Sequence, residues 1–114
     1  MSKAETRSST KEEWATENIE YIRSQLGNAE QLAGLAEEAT ELAHAAMKLR
    51  RAYDGSNPTP MTKGEAIDNL IEEIGDVILY LEVLGFPVDP EVYRKDMNIK
   101  LDRWVRRLKE TKKQ

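Results

Sequence analysis

Two short acidic runs, Glu37-Glu38-Ala39-Thr40-Glu41 and Glu72-Glu73-Ile74-Gly75-Asp76, carry the side chains of this sequence best suited to chemistry. Residues three apart on a helix lie about 5–6 Å from each other at Cβ, so Glu38 and Glu41 share a face, as do Glu73 and Asp76. Each pair can hold one hard cation. Where the two pairs meet, four carboxylates occupy a volume that is strongly repulsive without bound positive charge. Oxygen donors alone favour Mg²⁺, with Mn²⁺ as a substitute, over zinc, and magnesium keeps positions free for water or for phosphate oxygens. Taken singly, such a motif is an ordinary solvated helix face in a chain with 33% charged residues. Two of them on successive helices, neither interleaved with Lys or Arg, are harder to assign to solvation. From Glu65 to Glu82 the chain has Glu65, Asp68, Glu72, Glu73, Asp76 and Glu82 and no basic residue.

For these motifs to meet, the segments carrying them must be helices that pack antiparallel. The spacing predicts four helices. Thr10 with Glu13 forms a capping-box pattern ahead of Ala15, Ile19, Ile22 and Leu26, and Gly27 closes that helix. Asn28 with Gln31 opens the second, whose stripe runs through Leu32, Leu35, Ala39, Leu42, Ala46 and Leu49. The run Asp54-Gly55-Ser56-Asn57-Pro58-Thr59-Pro60 predicts a loop, because a residue before proline is disfavoured in helix. Thr62 with Glu65 repeats the capping box before Ile67, Leu70, Ile71, Ile74, Val77, Ile78, Leu81 and Leu84, and Gly85 ends the third helix. Asp89 and Pro90 introduce the fourth, which carries Val92, Met97, Leu101, Trp104, Val105 and Leu108. No strand-like alternation appears, so the expected fold is an all-α, four-helix bundle-like domain over residues 10–110, with a flexible terminus at 1–9 and a frayed tail at 111–114.

At 114 residues the chain has room for one domain, and 39% hydrophobic residues with 6% aromatic allow only a modest core. A homodimer or homotetramer is therefore expected, since the long amphipathic helices need apolar cover beyond what one chain supplies. With no cysteine, thiolate metal sites, disulfides and cysteine nucleophiles are excluded. A formal charge of −4 argues against stable nucleic-acid binding, and no secretory or membrane-spanning segment is evident, so a soluble, cytoplasmic protein is the expectation. The serines have no histidine partner within a motif, and the lone histidine, His44, reads as a surface or core residue. No phosphate-binding glycine loop of the G-x-x-x-x-G-K-[ST] type is present. The fourth segment reverses the charge bias, with Arg94, Lys95, Lys100, Arg103, Arg106, Arg107, Lys109, Lys112 and Lys113 against Asp96, Asp102 and Glu110. Those cations suit phosphate capture or balance against the acidic third segment.

The pattern Glu37-Glu38-x-x-Glu41 followed by Glu73-x-x-Asp76 resembles the signature of the MazG-like all-α nucleoside triphosphate pyrophosphohydrolases. Leu35-Ala36 before the first box, Leu42-Ala43 and Lys48 after it, and Val77-Ile78-Leu79-Tyr80 after the second extend the likeness, as do Asn98, Lys100 and Arg103. The likeness runs from about Gln31 to Trp104. It implies Mg²⁺-dependent cleavage of a nucleoside triphosphate between its α and β phosphates, giving monophosphate and pyrophosphate. It also implies metal-ligand roles for Glu38, Glu41, Glu73 and Asp76, and substrate contacts for Lys48, Tyr80, Asn98 and Arg103. Glu37 is the expected acceptor of the attacking water's proton, because a carboxylate that coordinates metal is a poor base. The separation of 31 residues between Glu41 and Glu73 (73 − 41 − 1) is longer than in compact members of the family. The excess falls in the Pro/Gly loop, where insertion costs little. Two further readings differ in class or substrate: a phosphoribosyl-ATP pyrophosphohydrolase-like enzyme, and a helical interaction module whose acidic face binds a basic partner.

Overall fold

The computed structural model of the chain describes residues 15–55 and 61–113. The capping box at Thr10, Trp14, the terminus at 1–9, the loop residues 56–60 and Gln114 lie outside them. The described residues hold helices and no strand, in agreement with the all-α expectation.

Helix α1 covers residues 15–25, α2 Asn28–Asp54, α3 Lys63–Leu84 and α4 Arg94–Lys113, with a 3₁₀ turn at Pro90–Tyr93 ahead of the last. The centre of the molecule is the hairpin of α2 and α3. At 1.5 Å per residue the 27 residues of α2 span about 40 Å, so the hairpin runs nearly the length of a small domain. Small residues let the two helices close: Ala45 and Ala66 are buried on the seam, and Val83 and Gln31 are buried nearer the other end. At the loop end, Lys63 Nζ stacks over the Tyr53 ring at 4.9 Å, tying the start of α3 to the last turn of α2.

Local chemistry fixes where the helices begin and stop. Thr62 and Glu65 form the predicted reciprocal box, Glu65 N donating to Thr62 Oγ1 at 3.2 Å and Thr62 N to Glu65 Oε1 at 3.1 Å. Gly85 ends α3 at φ 87°, a left-handed position that a Cβ disfavours, and Phe86 N donates back to Leu81 O at 2.9 Å. The opening of α2 departs from expectation. Gly27 is its cap, and no side chain caps it. Gln31 does not close a box with Asn28; its amide nitrogen instead donates to Leu26 O at 2.7 Å, bridging the turn out of α1.

Helix α4 does not join the hairpin, so the four-helix arrangement expected from the sequence is not closed within one chain. It packs on neither α2 nor α3, and its described residues are all exposed. Its departure is built into the connection. Asp89 Oδ1 accepts from Glu91 N at 3.1 Å, Tyr93 Oη donates to Pro87 O at 2.6 Å, and Arg94 pairs with Glu91 at 2.6 Å. The result is an elongated chain, with a radius of gyration of 19.2 Å against about 13 Å for a compact domain of this length.

Candidate active site

Midway along the hairpin, Glu38 of α2 faces Glu73 and Asp76 of α3, and one carboxylate oxygen from each lies within 4.8 Å of the others. The i, i+3 spacing puts Glu73 and Asp76 on the α3 face turned to α2, while the buried alanines nearer the loop hold the helices close enough for Glu38 to reach them. All three are half-buried. None has a cationic partner among the described residues, where the ion pairs are Arg50–Asp54 and Arg94–Glu91.

The electrostatics express this crowding. Desolvation, followed by the charges of Asp76, Glu37 and Glu41, raises the Glu38 carboxyl above its ordinary value of 4.5. Desolvation raises Glu73 as well, with Asp76, Glu38, Glu41 and Glu72 adding repulsion. Three hard oxygen donors without a nitrogen or sulfur ligand, unneutralised and resisting ionisation, fit an oxygen-seeking divalent cation. Glu38, Glu73 and Asp76 are the residues that would hold it.

The remaining predicted residues divide by position. Glu41 is exposed one turn along α2 from Glu38 and lies outside the close trio, although its charge is felt by both Glu38 and Glu73. Glu37 is exposed beside Glu38, free to meet solvent. Lys48 is half-buried two turns beyond Glu41, and Tyr80 is half-buried one turn after Asp76, so both sit on the hairpin. Asn98 and Arg103 are exposed on α4, which does not return to the hairpin. Five residues apart on a helix, those two project about 140° from each other.

Three residues not singled out by their chemistry shape the surroundings. Gly34, one turn before Glu38, lies under the Tyr80 ring: a Cβ there would stand 2.5 Å from Tyr80 Cζ and 2.7 Å from its hydroxyl oxygen. A glycine inside a helical stripe costs about 1 kcal/mol relative to alanine, a signal that something must approach its backbone. Arg23 of α1 donates from Nε to Val83 O at 2.6 Å and from Nη2 to Glu82 O at 2.7 Å, fastening α1 to the end of α3. Gln31, the buried amide, lines a cavity beside Tyr80.

No curated protein and no solved structure gives a significant match to the chain. Residues 26–110, three quarters of the sequence, match the family described as the MazG nucleotide pyrophosphohydrolase domain, and they contain the whole carboxylate constellation and both helices that build it. The chain belongs to the MazG nucleotide pyrophosphohydrolase domain family.

Proposed function

We propose that the protein hydrolyses a nucleoside triphosphate between its α and β phosphates, with Mg²⁺ held by Glu38, Glu73 and Asp76 and with Glu41 as a fourth ligand. The observation that carries this reading is the trio of carboxylates within 4.8 Å, with no cation among the described residues to neutralise it, in a chain of this family. A polyanionic substrate cannot approach such a surface unaided; a bound divalent ion supplies the bridge and stabilises charge on the departing pyrophosphate. Water adds at the α-phosphorus, the bond to the bridging oxygen breaks, and Glu37 takes the proton released. The products are the monophosphate and pyrophosphate.

Lys48 and Tyr80 flank the carboxylates along the hairpin and would contact the phosphates and the nucleoside. Asn98 and Arg103 stand on α4, so in this reading they serve a site only if assembly brings α4 of one copy to another. A homodimer or homotetramer also accounts for the apolar stripe Ile67, Ile71, Ile74 and Ile78, which one chain leaves exposed on α3.

The test is incubation of the purified protein with a panel of ribo- and deoxyribonucleoside triphosphates and Mg²⁺. Equimolar monophosphate and pyrophosphate are expected, and none without the metal. Release of single orthophosphate, or no turnover at any nucleotide, overturns the reading.

A further inference from the structure

One turn beyond Asp76 on α3 and two turns before Glu38 on α2, the seam opens into a cavity of about 200 Å³ edged by the end of α1. Ile22, Leu26, Leu79 and Val83 supply apolar walls, the Tyr80 ring closes the side nearer the carboxylates, and Gln31 brings the one amide. Gln31 is 3% exposed, so the state of its polar ends decides what the cavity accepts. Its Nε2 donates to Leu26 O at 2.7 Å. A carbonyl can only accept, which fixes that end of the amide as the nitrogen. Oε1 is the end left over. None of the donors of the described residues reaches Oε1, and no fully buried side-chain oxygen or nitrogen among those residues goes unpaired, so Oε1 keeps some exposed surface, and the cavity is the opening that Gln31 lines.

Apolar walls with an inward acceptor suit a flat, mostly apolar ring that presents an N–H donor. The Tyr80 wall stands only because position 34 is glycine. From the carboxylates the cavity lies along the seam by one to two helical turns, about 6–10 Å, on the side opposite Lys48, which is the side left for the nucleoside if Lys48 takes the phosphates. Cytosine and adenine present an exocyclic amino group where uracil, thymine and guanine present a carbonyl. A carbonyl set against Gln31 Oε1 opposes two acceptors and leaves both unpaired in a buried place, the situation that hydrogen-bonding sites reject most strongly.

Resting on the pyrophosphohydrolase reading, we propose that this cavity receives the nucleobase and that Gln31 selects cytosine and adenine, by their 4- or 6-amino group, over the bases with a carbonyl there.

Steady-state pyrophosphate release would be compared for dCTP, dUTP and the triphosphate of 2-pyrimidinone deoxyriboside, which carries hydrogen in place of either group. Calorimetric binding of the three matching monophosphates is measured in parallel on the wild-type protein. The expected order in both is cytosine, then 2-pyrimidinone, then uracil, with cytosine at least about tenfold above uracil, and dATP correspondingly above dGTP. In Gln31→Leu the cytosine-to-uracil ratio is expected to fall to near one. Should that variant not fold, the wild-type series decides alone. Equal or reversed preference overturns the assignment. Monophosphates that bind in the expected order while no triphosphate is hydrolysed sink the reaction and keep the pocket. Pyrophosphate released from all bases alike does the opposite, and no binding with no turnover sinks both.

Discussion

Gly34 and Tyr80 compete for one volume: the tyrosine ring of α3 lies where a side chain at position 34 of α2 would begin. The contact occupies the layer of the hairpin next to the carboxylates, so its strain or relief is transmitted directly to the seam that holds Glu38 against Asp76. Gly34→Ala is expected to destabilise by about 1–3 kcal/mol, as overpacking does, even though alanine is the better helix former. Gly75 offers the opposite case, a helical glycine of α3 whose added Cβ would meet nothing within 4 Å. Gly75→Ala should stabilise by about 0.5–1 kcal/mol. Urea denaturation of both variants checks the pair, and shifts of the same sign would show that Tyr80 yields freely.

That contrast also shows what a linear reading can reach. The capping box at Thr62, the stop at Gly85 and the pairing of two acidic motifs all follow from local rules, because caps and i, i+3 neighbours are decided within a few residues. Gly34, Gln31 and Arg23 act through partners on other helices, so periodicity marked their helices and not their contacts. The departure of α4 was hidden for a related reason. Its apolar residues have the spacing of a core-facing helix, and that pattern is the same whether the cover comes from its own chain or from elsewhere.

Substitution of a single trio carboxylate should separate stability from activity. In Glu73→Gln one charge leaves a cluster in which Asp76, Glu38, Glu41 and Glu72 all repel it. Without metal the variant is therefore expected to melt higher than the wild type, while the rise in melting temperature on adding Mg²⁺ largely disappears. Pyrophosphate release should fall at least about 100-fold, since losing only an outer partner of a metal ligand already costs about 10–100-fold. Thermal melts with and without Mg²⁺, alongside the turnover assay, test it; a metal-free variant less stable than the wild type would contradict the repulsion.

The direction of the carboxyl shifts sets a pH dependence. Glu38 and Glu73 are both raised above 4.5 by desolvation first and neighbouring carboxylates second, so the folded chain holds their protons more tightly than the unfolded chain. Stability falls with rising pH wherever the folded state binds more protons. Their contribution to the metal-free protein is thus full below the ordinary carboxyl range and is lost as pH climbs through the raised values. Metal binding needs the ionised forms, so its linkage has the opposite sign. The increase in melting temperature produced by a fixed concentration of Mg²⁺ should grow from about pH 5 to about pH 7.5. An increment constant across that interval would mean that these carboxyls do not hold the ion.

The apolar stripe on α3 lies uncovered in the single chain. Ile67, Ile71, Ile74 and Ile78 follow a 4-3-4 spacing, the repeat by which one helix seats against another, yet each is more than a third exposed and Ile71 is 61% exposed. The carboxylates cannot be what this face serves, since Glu73 and Asp76 turn toward α2 while Ile71 and Ile74 point away from that seam. Covering it with a second copy would bury the apolar area that a chain of this length cannot cover alone. Ile71→Glu should therefore convert a sedimenting dimer or tetramer to monomer at micromolar concentration. Since the trio lies on the other side of the helix, the monomer would still gain stability from Mg²⁺. If the wild type itself sediments as a monomer, the stripe is not a self-association surface; if the variant loses its Mg²⁺ response together with assembly, the metal site depends on the interface.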